Sequence, residues 1–277
     1  AADGALDLAD ARRLLDAADV VCALTLDAQA GTDAAFDPAV HEVRPHPGQR
    51  ESARRLRRLL EGSAIRESHR ECGRVQDAYS LRCSPQVHGT GRDAWEHARR
   101  VLEIELNSAT DNPMVFADGR VISGGNFHGA PIAAVFDYLT ATLTDLASIS
   151  ERRFARMVDA SLSGLPRFLV DDAGLNSGFM IVQVSAAALV SEMKTLSHPA
   201  SVDSIPTSAG QEDHVSMSTW ASRKLARVVE LVRKVLGMEL LAAAQALEFH
   251  RPLTTSPALE DVVRRLRDRV PRYEDDR

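Results

Sequence analysis

The sequence has few of the residues that mark specialised classes of protein. It contains three cysteines in 277 residues, Cys22, Cys72 and Cys83. They are too few and too scattered for a disulfide framework or a zinc ribbon, and a reducing compartment such as the cytoplasm is the simplest location. No apolar run approaches the length of a membrane span and no signal peptide opens the chain, so we expect no membrane partner.

The chain also lacks a dominant charge sign. It has 33 basic and 39 acidic residues, which gives a formal net charge of −6. A nucleic-acid partner is therefore not expected, because such proteins concentrate positive charge. The hydrophobic content of 44 % and the charged content of 26 % are typical of a globular protein. The length permits one large domain or two ordinary ones, and since no linker stands out, we predict a single domain over residues 1–277.

Apolar residues recur with helical spacing through most of the chain, whereas segment 31–49 carries prolines and glycine and is predicted to be irregular. Helices are predicted over residues 6–26, 50–60, 85–108, 131–153, 179–196, 215–250 and 256–269. Three are apolar on more than one side, which predicts a mainly all-α fold, a bundle of long helices wrapped by others. A small β-hairpin is predicted near residues 114–122.

The helix at 179–196 is nearly all apolar, so it should be covered on most sides. Helices this apolar are typical of subunits in an oligomer, because exposed apolar stripes often mark interfaces.

Three polar residues recur at every third position in segment 76–83. Gln76, Tyr79 and Arg82 would lie on one side of a helical or 3₁₀ turn. An arginine can grip a carboxylate with two parallel hydrogen bonds, and a tyrosine hydroxyl can exchange a proton beside a cation. The pattern favours a cradle for an amino acid, although a solvated polar helix face has the same spacing.

Four polar loops separate the apolar helices, at residues 75–83, 123–128, 176–180 and 201–217. Helical bundles often place their sites at the ends of helices, so we expect the four loops to converge, with Arg82 and Glu212 facing one cavity. Other interpretations remain open. Residues 208–211 fit a capping box for the following helix, and the histidines lack the spacing of a zinc motif, so no metal is expected.

At these loops the sequence resembles the aromatic amino acid ammonia-lyases, most closely the members that act on histidine. The segments that carry the resemblance are 36–37, 41 and 44–46, 76–83, 111–113, 123–128, 176–180, 197–199, 201–204 and 211–217. They occur in the family's order and extend over nearly the whole chain. Gly210 departs from the pattern, which has asparagine there.

The resemblance implies a helical fold like that of the fumarase and aspartase group, assembled as a homotetramer. It implies that ammonia is eliminated from an α-amino acid with the help of an electrophilic methylidene-imidazolone made from an internal Ala-Ser-Gly. That triplet does not occur in this sequence. We therefore expect the chain to be the C-terminal part of a longer lyase, without its N-terminal active-site domain and its C-terminal end, and to be inactive alone.

The resemblance also assigns roles to individual residues. Tyr79 would assist proton transfer, Phe127 would pack beside the prosthetic group, and Glu212 would complete the predicted catalytic set. The predicted substrate-binding residues are Gln76, Arg82, Met180 and again Glu212.

A carboxylate at position 212 predicts histidine as the substrate and urocanate as the product, because an imidazole N–H can donate to it and a phenyl ring would leave it unpaired. The alternatives are a fragment of a phenylalanine or tyrosine ammonia-lyase or aminomutase, and a scaffold without catalytic activity.

Overall fold

The structure, a computed structural model, describes residues 1–276. The α-helices of that part are α1 (Ala2–Ala28), α2 (Pro38–Glu42), α3 (Pro47–Leu60), α4 (Ala64–Ser68), α5 (Tyr79–Arg82), α6 (Ser84–Leu106), α7 (Ala130–Val158), α8 (Ala160–Ser163), α9 (Met180–Leu196), α10 (Ser218–Leu247) and α11 (Pro257–Arg267). Strands β1 (Met114–Val115) and β2 (Val121–Ile122) pair in antiparallel register, with Met114 opposite Ile122. The predicted all-α bundle and its small hairpin are confirmed.

The bundle is organised around α7 and α10, which pack against each other and against α1 and α9. The side chains that face these contacts, such as Leu139, Leu143 and Val232, are fully buried. Two salt bridges between the helices join Asp137 to Lys224 and Arg153 to Glu239. Because the residue numbers rise together on both helices, α7 and α10 run parallel.

Close backbone contact joins α3 to α6. A Cβ added to Gly89 of α6 would lie 2.3 Å from the backbone nitrogen of Gln49, and one added to Gly48 of α3 would lie 2.1 Å from the carbonyl oxygen of Gly89. Two helices can approach this closely only where neither has a side chain at the crossing. The glycine pair therefore fixes how α3 packs on the bundle.

Segment 31–49 is more regular than the sequence indicated. It forms a 3₁₀ turn over Ala34–Phe36, the short helix α2, and the beginning of α3 at Pro47. Asp37 caps α2 by accepting a hydrogen bond from the backbone nitrogen of Ala39 at 2.8 Å. The prolines at 38 and 47 occupy first-turn positions, where a helix tolerates them, so they begin helices here rather than prevent them.

Helix α9 is not covered on most sides within this chain, contrary to the expectation from its composition. Only Ala186, Val190 and Met193 are buried, whereas Ile181 and Val184 are 59 % and 54 % exposed. One face of the helix packs on α7 and α10, and the opposite apolar face is open.

Helix α7 contradicts the expectation that no apolar run approaches the length of a membrane span. Its most apolar window has a mean hydropathy of 1.3, and by length and composition it is able to cross a membrane. Of that window, 67 % is buried inside the protein, and this is the pattern of a core helix.

Candidate functional site

Helix α5 is a single turn that carries Tyr79 and Arg82 at its two ends. Leu81 is its one buried residue and anchors the turn in the core, while the Tyr79 side chain is 71 % exposed. The Arg82 guanidinium lies 4.6 Å from the centre of the Tyr79 ring, within the range of a cation–π contact. Among the described residues, the Nε of Arg82 is buried without a hydrogen-bond partner. This donor is therefore the unsatisfied polar atom of the turn.

Gln76 does not share that turn, so the predicted stack of three polar side chains is wrong in part. It lies in the exposed loop before α5, because the helix begins only at Tyr79. Asp77 holds this loop in place instead. Its carboxylate accepts hydrogen bonds from the backbone nitrogen of Thr32 at 2.6 Å and from Nη1 of Arg74 at 3.1 Å.

Glu212 lies in an exposed turn of the loop over residues 201–217. Its Oε2 accepts hydrogen bonds from the hydroxyl groups of Thr207 at 2.5 Å and Ser208 at 2.8 Å. These two donors hold the pKa of the Glu212 carboxyl below its usual value, so the group is ionised at neutral pH.

The capping box considered for residues 208–211 does not form, because α10 begins only at Ser218. These residues form a 3₁₀ turn instead. Gly210 has a φ of +87°, in the left-handed region that glycine adopts at little cost. The departure from asparagine at this position therefore suits the backbone of the turn.

The glycine-rich loop that carries Phe127 is attached to the Glu212 loop. Nε2 of His128 lies 3.2 Å from the carbonyl oxygen of His214, and the two imidazole rings stack with centroids 5.6 Å apart. The backbone nitrogen of Gly129 donates to the Ser216 hydroxyl at 3.0 Å. Phe127 itself is 58 % exposed. Two of the four predicted loops therefore lie together.

Met180 is the first residue of α9 and is half-buried. The preceding loop is held by Asp276, which accepts hydrogen bonds from the backbone nitrogens of Ser177 at 2.7 Å and Gly178 at 3.0 Å. These donors and the Tyr273 hydroxyl lower the pKa of Asp276 to about 2. Gln183, one turn into α9, donates to Glu151 of α7 at 2.8 Å.

The four loops form two groups at opposite ends of α7. The loops with Phe127 and Glu212 lie where α7 begins, whereas Ser80 of α5 and Gln183 of α9 contact Arg153 and Glu151 near its end. A helix rises about 1.5 Å per residue, so Gly129, where one group contacts α7, and Arg153, where the other does, are about 36 Å apart. We take this as the separation of the two groups. The expectation that Arg82 and Glu212 face one cavity is therefore wrong for a single copy of the chain. The loops that carry Arg82 and Glu212 follow different helices. The order of these helices in the sequence does not show which end of α7 each loop lies near.

The bundle contains a cluster of buried charged residues that was not predicted from the sequence. Arg153, Glu239, Asp19 and His88 are completely buried, and Arg92 nearly so. The signal was present, because Arg153 and Glu239 interrupt the apolar stripes of α7 and α10. Over residues 1–276, histidine, cysteine and carboxylate side chains nowhere gather in the groups of three or more that a metal ion needs.

Comparison with known proteins identifies the family of the chain. The family model described as "Aromatic amino acid lyase" matches residues 1–268. A histidine ammonia-lyase of Koribacter versatilis is 54 % identical over 99 % of this chain, which covers 56 % of that protein.

Among solved structures, histidine ammonia-lyase from Trypanosoma cruzi superposes with a TM-score of 0.92 at 47 % identity, over 100 % of this chain and 52 % of that one. Tyrosine aminomutase from Streptomyces globisporus superposes with a TM-score of 0.93 at 39 % identity, over 99 % and 56 %. The chain thus spans about half the length of the curated relatives it matches. With a family model matched over nearly its whole length, the chain belongs to the aromatic amino acid lyase family.

Proposed function

We propose that this chain is the part of a carbon–nitrogen lyase that binds L-histidine and helps to eliminate ammonia from it, giving urocanate. The observation that carries the proposal is the buried, unmatched Nε of Arg82 beside the ring of Tyr79. An arginine donor without a protein acceptor is suited to the carboxylate of an amino acid. Tyr79, exposed next to it, is placed to assist proton transfer as the C–N bond and the β-C–H bond break.

The preference for histidine rests on Glu212. Both hydrogen bonds to this carboxylate within residues 1–276 go to Oε2, which leaves Oε1 for an imidazole N–H. A hydrogen bond to a charged group contributes roughly 1.5–3 kcal/mol, and a phenyl ring offers no such donor. The tyrosine aminomutase likeness raises a second candidate, an enzyme for phenylalanine or tyrosine, but an ionised carboxylate at this position disfavours it.

The chain has no Ala-Ser-Gly triplet, so its own residues do not form a methylidene-imidazolone. We propose that another part of the longer protein supplies this group, and that it activates the amine for departure. The glycine-rich loop fits such an arrangement. Gly124 and Gly125 have nothing within 4 Å of an added Cβ, and the Phe127 ring is uncovered, so this surface can accept a further segment. Phe127 would pack against it.

We propose further that the site is assembled between copies of the protein in a homo-oligomer, a tetramer by resemblance. The separation of about 36 Å between the Arg82 and Glu212 groups requires it if both contact one substrate. The open apolar face of α9 begins at Met180, beside the Arg82 group, and is a suitable surface for a neighbouring copy.

The test is Glu212→Gln in the full-length protein, with histidine, phenylalanine and tyrosine as substrates. We expect kcat/KM for histidine to fall roughly 10- to 200-fold, in line with the loss of a charge-assisted hydrogen bond of 1.5–3 kcal/mol. Glu103→Gln, an exposed change on α6, is the matched control. Unchanged histidine turnover in the Glu212 variant, or turnover of tyrosine in preference to histidine by the parent enzyme, would remove the assignment. The 277-residue chain alone should produce no urocanate.

A further inference from the structure

The centre of the bundle contains a connected set of buried polar groups. Arg153 of α7 donates through Nε to Oε1 of Glu239 at 2.5 Å and through Nη2 to Oε2 at 2.9 Å. Glu239 of α10 also accepts from the hydroxyl groups of Thr25 at 2.8 Å and Ser150 at 2.5 Å. Both members of the ion pair are completely buried.

Such a pair is an inefficient way to stabilise a fold. Removing two charges from water costs several kcal/mol, and replacing a buried ion pair by apolar residues of similar volume is often neutral or stabilising. The same two helices bury apolar residues such as Leu146 and Leu236, so their interface accepts such residues. Stability alone therefore does not explain the pair, and its other contacts indicate its role.

That role is indicated by the remaining nitrogen of Arg153. Nη1 points away from Glu239 and lies 3.4 Å from the carbonyl oxygen of Ser80 and 3.3 Å from the hydroxyl of Ser84. The Ser84 hydroxyl in turn donates to the same Ser80 carbonyl at 3.1 Å. Ser80 lies between Tyr79 and Arg82 on α5, so the guanidinium reaches the backbone of the turn both directly and through Ser84.

Helix α5 needs such support. It has four residues, far fewer than a helix needs to be stable alone, and Leu81 is the only one of them that is buried. Leu81 fixes the depth of the turn but allows it to rotate about the buried side chain. A hydrogen bond to the Ser80 carbonyl, at a second point, restricts that rotation. The directions of Tyr79 and Arg82 depend on the same restriction.

We propose that Arg153 and Glu239 are positioning residues: Glu239 orients the Arg153 guanidinium, which holds the Ser80 carbonyl and thereby aims Tyr79 and Arg82. Arginine is required because its planar fork has separate donors for Glu239 and for the turn, whereas a lysine ammonium is a point charge on a single atom. The expected change in kcat and KM rests on the proposed function, whereas the expected change in the mobility of α5 does not.

The mechanical test measures amide hydrogen exchange in the 277-residue chain. Arg153→Met/Glu239→Leu removes both charges together and leaves neither buried without its partner, and we expect the amides of Leu81, Arg82 and Cys83 to exchange roughly tenfold faster. Ser84→Ala, a small change that folds readily, should accelerate the same amides to a lesser extent. Asp137→Leu/Lys224→Met removes the other buried pair between α7 and α10 and should leave these amides unchanged.

The kinetic test uses the full-length protein. Misdirected Tyr79 and Arg82 should raise KM and lower kcat together, with kcat/KM reduced roughly 10- to 100-fold. A merely structural role would reduce the amount of folded enzyme and leave KM unchanged. Arg153→Lys, which keeps the charge beside Glu239, should not restore the parent KM.

Unaltered exchange of the three amides in both Arg153→Met/Glu239→Leu and Ser84→Ala would overturn the inference, whatever reaction the enzyme catalyses. Accelerated exchange with no change in histidine kinetics would instead overturn the roles proposed for Tyr79 and Arg82 and leave the mechanical link intact.

Discussion

At the scale of single residues, Asp19 is a buried acid that is stabilised by direct contacts with buried basic residues. Asp19 accepts from Nδ1 of His88 at 2.8 Å and from Nη2 of Arg92 at 2.6 Å. Burial alone raises the pKa of the Asp19 carboxyl, but the hydrogen bonds and charges of these partners outweigh it and hold the pKa below the usual value. Asp19 is therefore ionised.

The neighbouring histidine behaves in the opposite way. Burial lowers the pKa of His88 and outweighs the attraction of Asp19. Nε2 of the ring lies 3.5 Å from Nη1 of Arg153, a donor, so a neutral ring with its proton on Nδ1 satisfies both neighbours. His88 thus links the two buried ion pairs without adding a charge.

This arrangement predicts how stability depends on pH. Below about pH 6.5 the unfolded chain protonates this histidine more readily than the folded chain, because folding lowers the pKa of His88. The free energy of unfolding therefore decreases as the pH is lowered below that value, by at most about 1.4 kcal/mol per unit. Above that pH the contribution is fully present. In His88→Gln the slope just below pH 6.5 should be shallower, measured by urea unfolding. Parallel slopes for the two proteins would show that folding leaves the pKa of His88 unchanged.

At the residue scale, one pair of neighbouring residues was predicted from the sequence and another pair was not. Spacing and chemistry singled out Tyr79 and Arg82, and these two do lie in contact. The same reasoning placed Gln76 on their turn, although the helix begins three residues later. Arg153 and Glu239 each interrupt an apolar stripe, but neither identifies its partner, which is 86 residues away in the sequence.

At the scale of elements, the long helices were predicted within a few residues because their apolar stripes repeat over many turns. Residues 131–153 were predicted for α7, which extends over Ala130–Val158. The short helices in segment 31–49 depend on capping by Asp37 and on first-turn prolines, so composition alone concealed them. The open face of α9 was not predictable, because an apolar helix has the same sequence whether its own chain or a neighbour covers it.

The crossing of α3 and α6 predicts opposite effects of the same substitution at two helical glycines. In Gly89→Ala the added methyl group would lie 2.3 Å from a backbone nitrogen of α3, so the helices must separate and we expect a loss of at least about 3 kcal/mol. Gly237→Ala in α10 meets nothing within 4 Å and should stabilise by about 1 kcal/mol through helix propensity. Urea unfolding of both variants measures the difference. Similar stability changes would mean that the close α3–α6 crossing does not form.

At the scale of the whole molecule, the arrangement of α7 decides what a single copy can do. The helix is long enough to keep the Arg82 group and the Glu212 group about 36 Å apart, far beyond the length of an amino acid. If both residues bind the substrate, as proposed, each copy carries two incomplete half-sites, one at each end of the bundle. A catalytic role for both residues therefore requires that the Arg82 end of one copy meets the Glu212 end of another.

This requirement predicts complementation between two inactive proteins. Full-length Arg82→Met and Glu212→Gln, prepared separately, should each lose most histidine turnover. When they are co-expressed with different tags and purified as mixed oligomers, random assembly pairs an intact Arg82 with an intact Glu212 in about a quarter of the sites. Turnover should therefore return to about a quarter of the parent value. Each variant co-expressed with itself is the control. Mixed oligomers with no more activity than these controls would mean that both residues act within one copy, or that one of them does not contact the substrate.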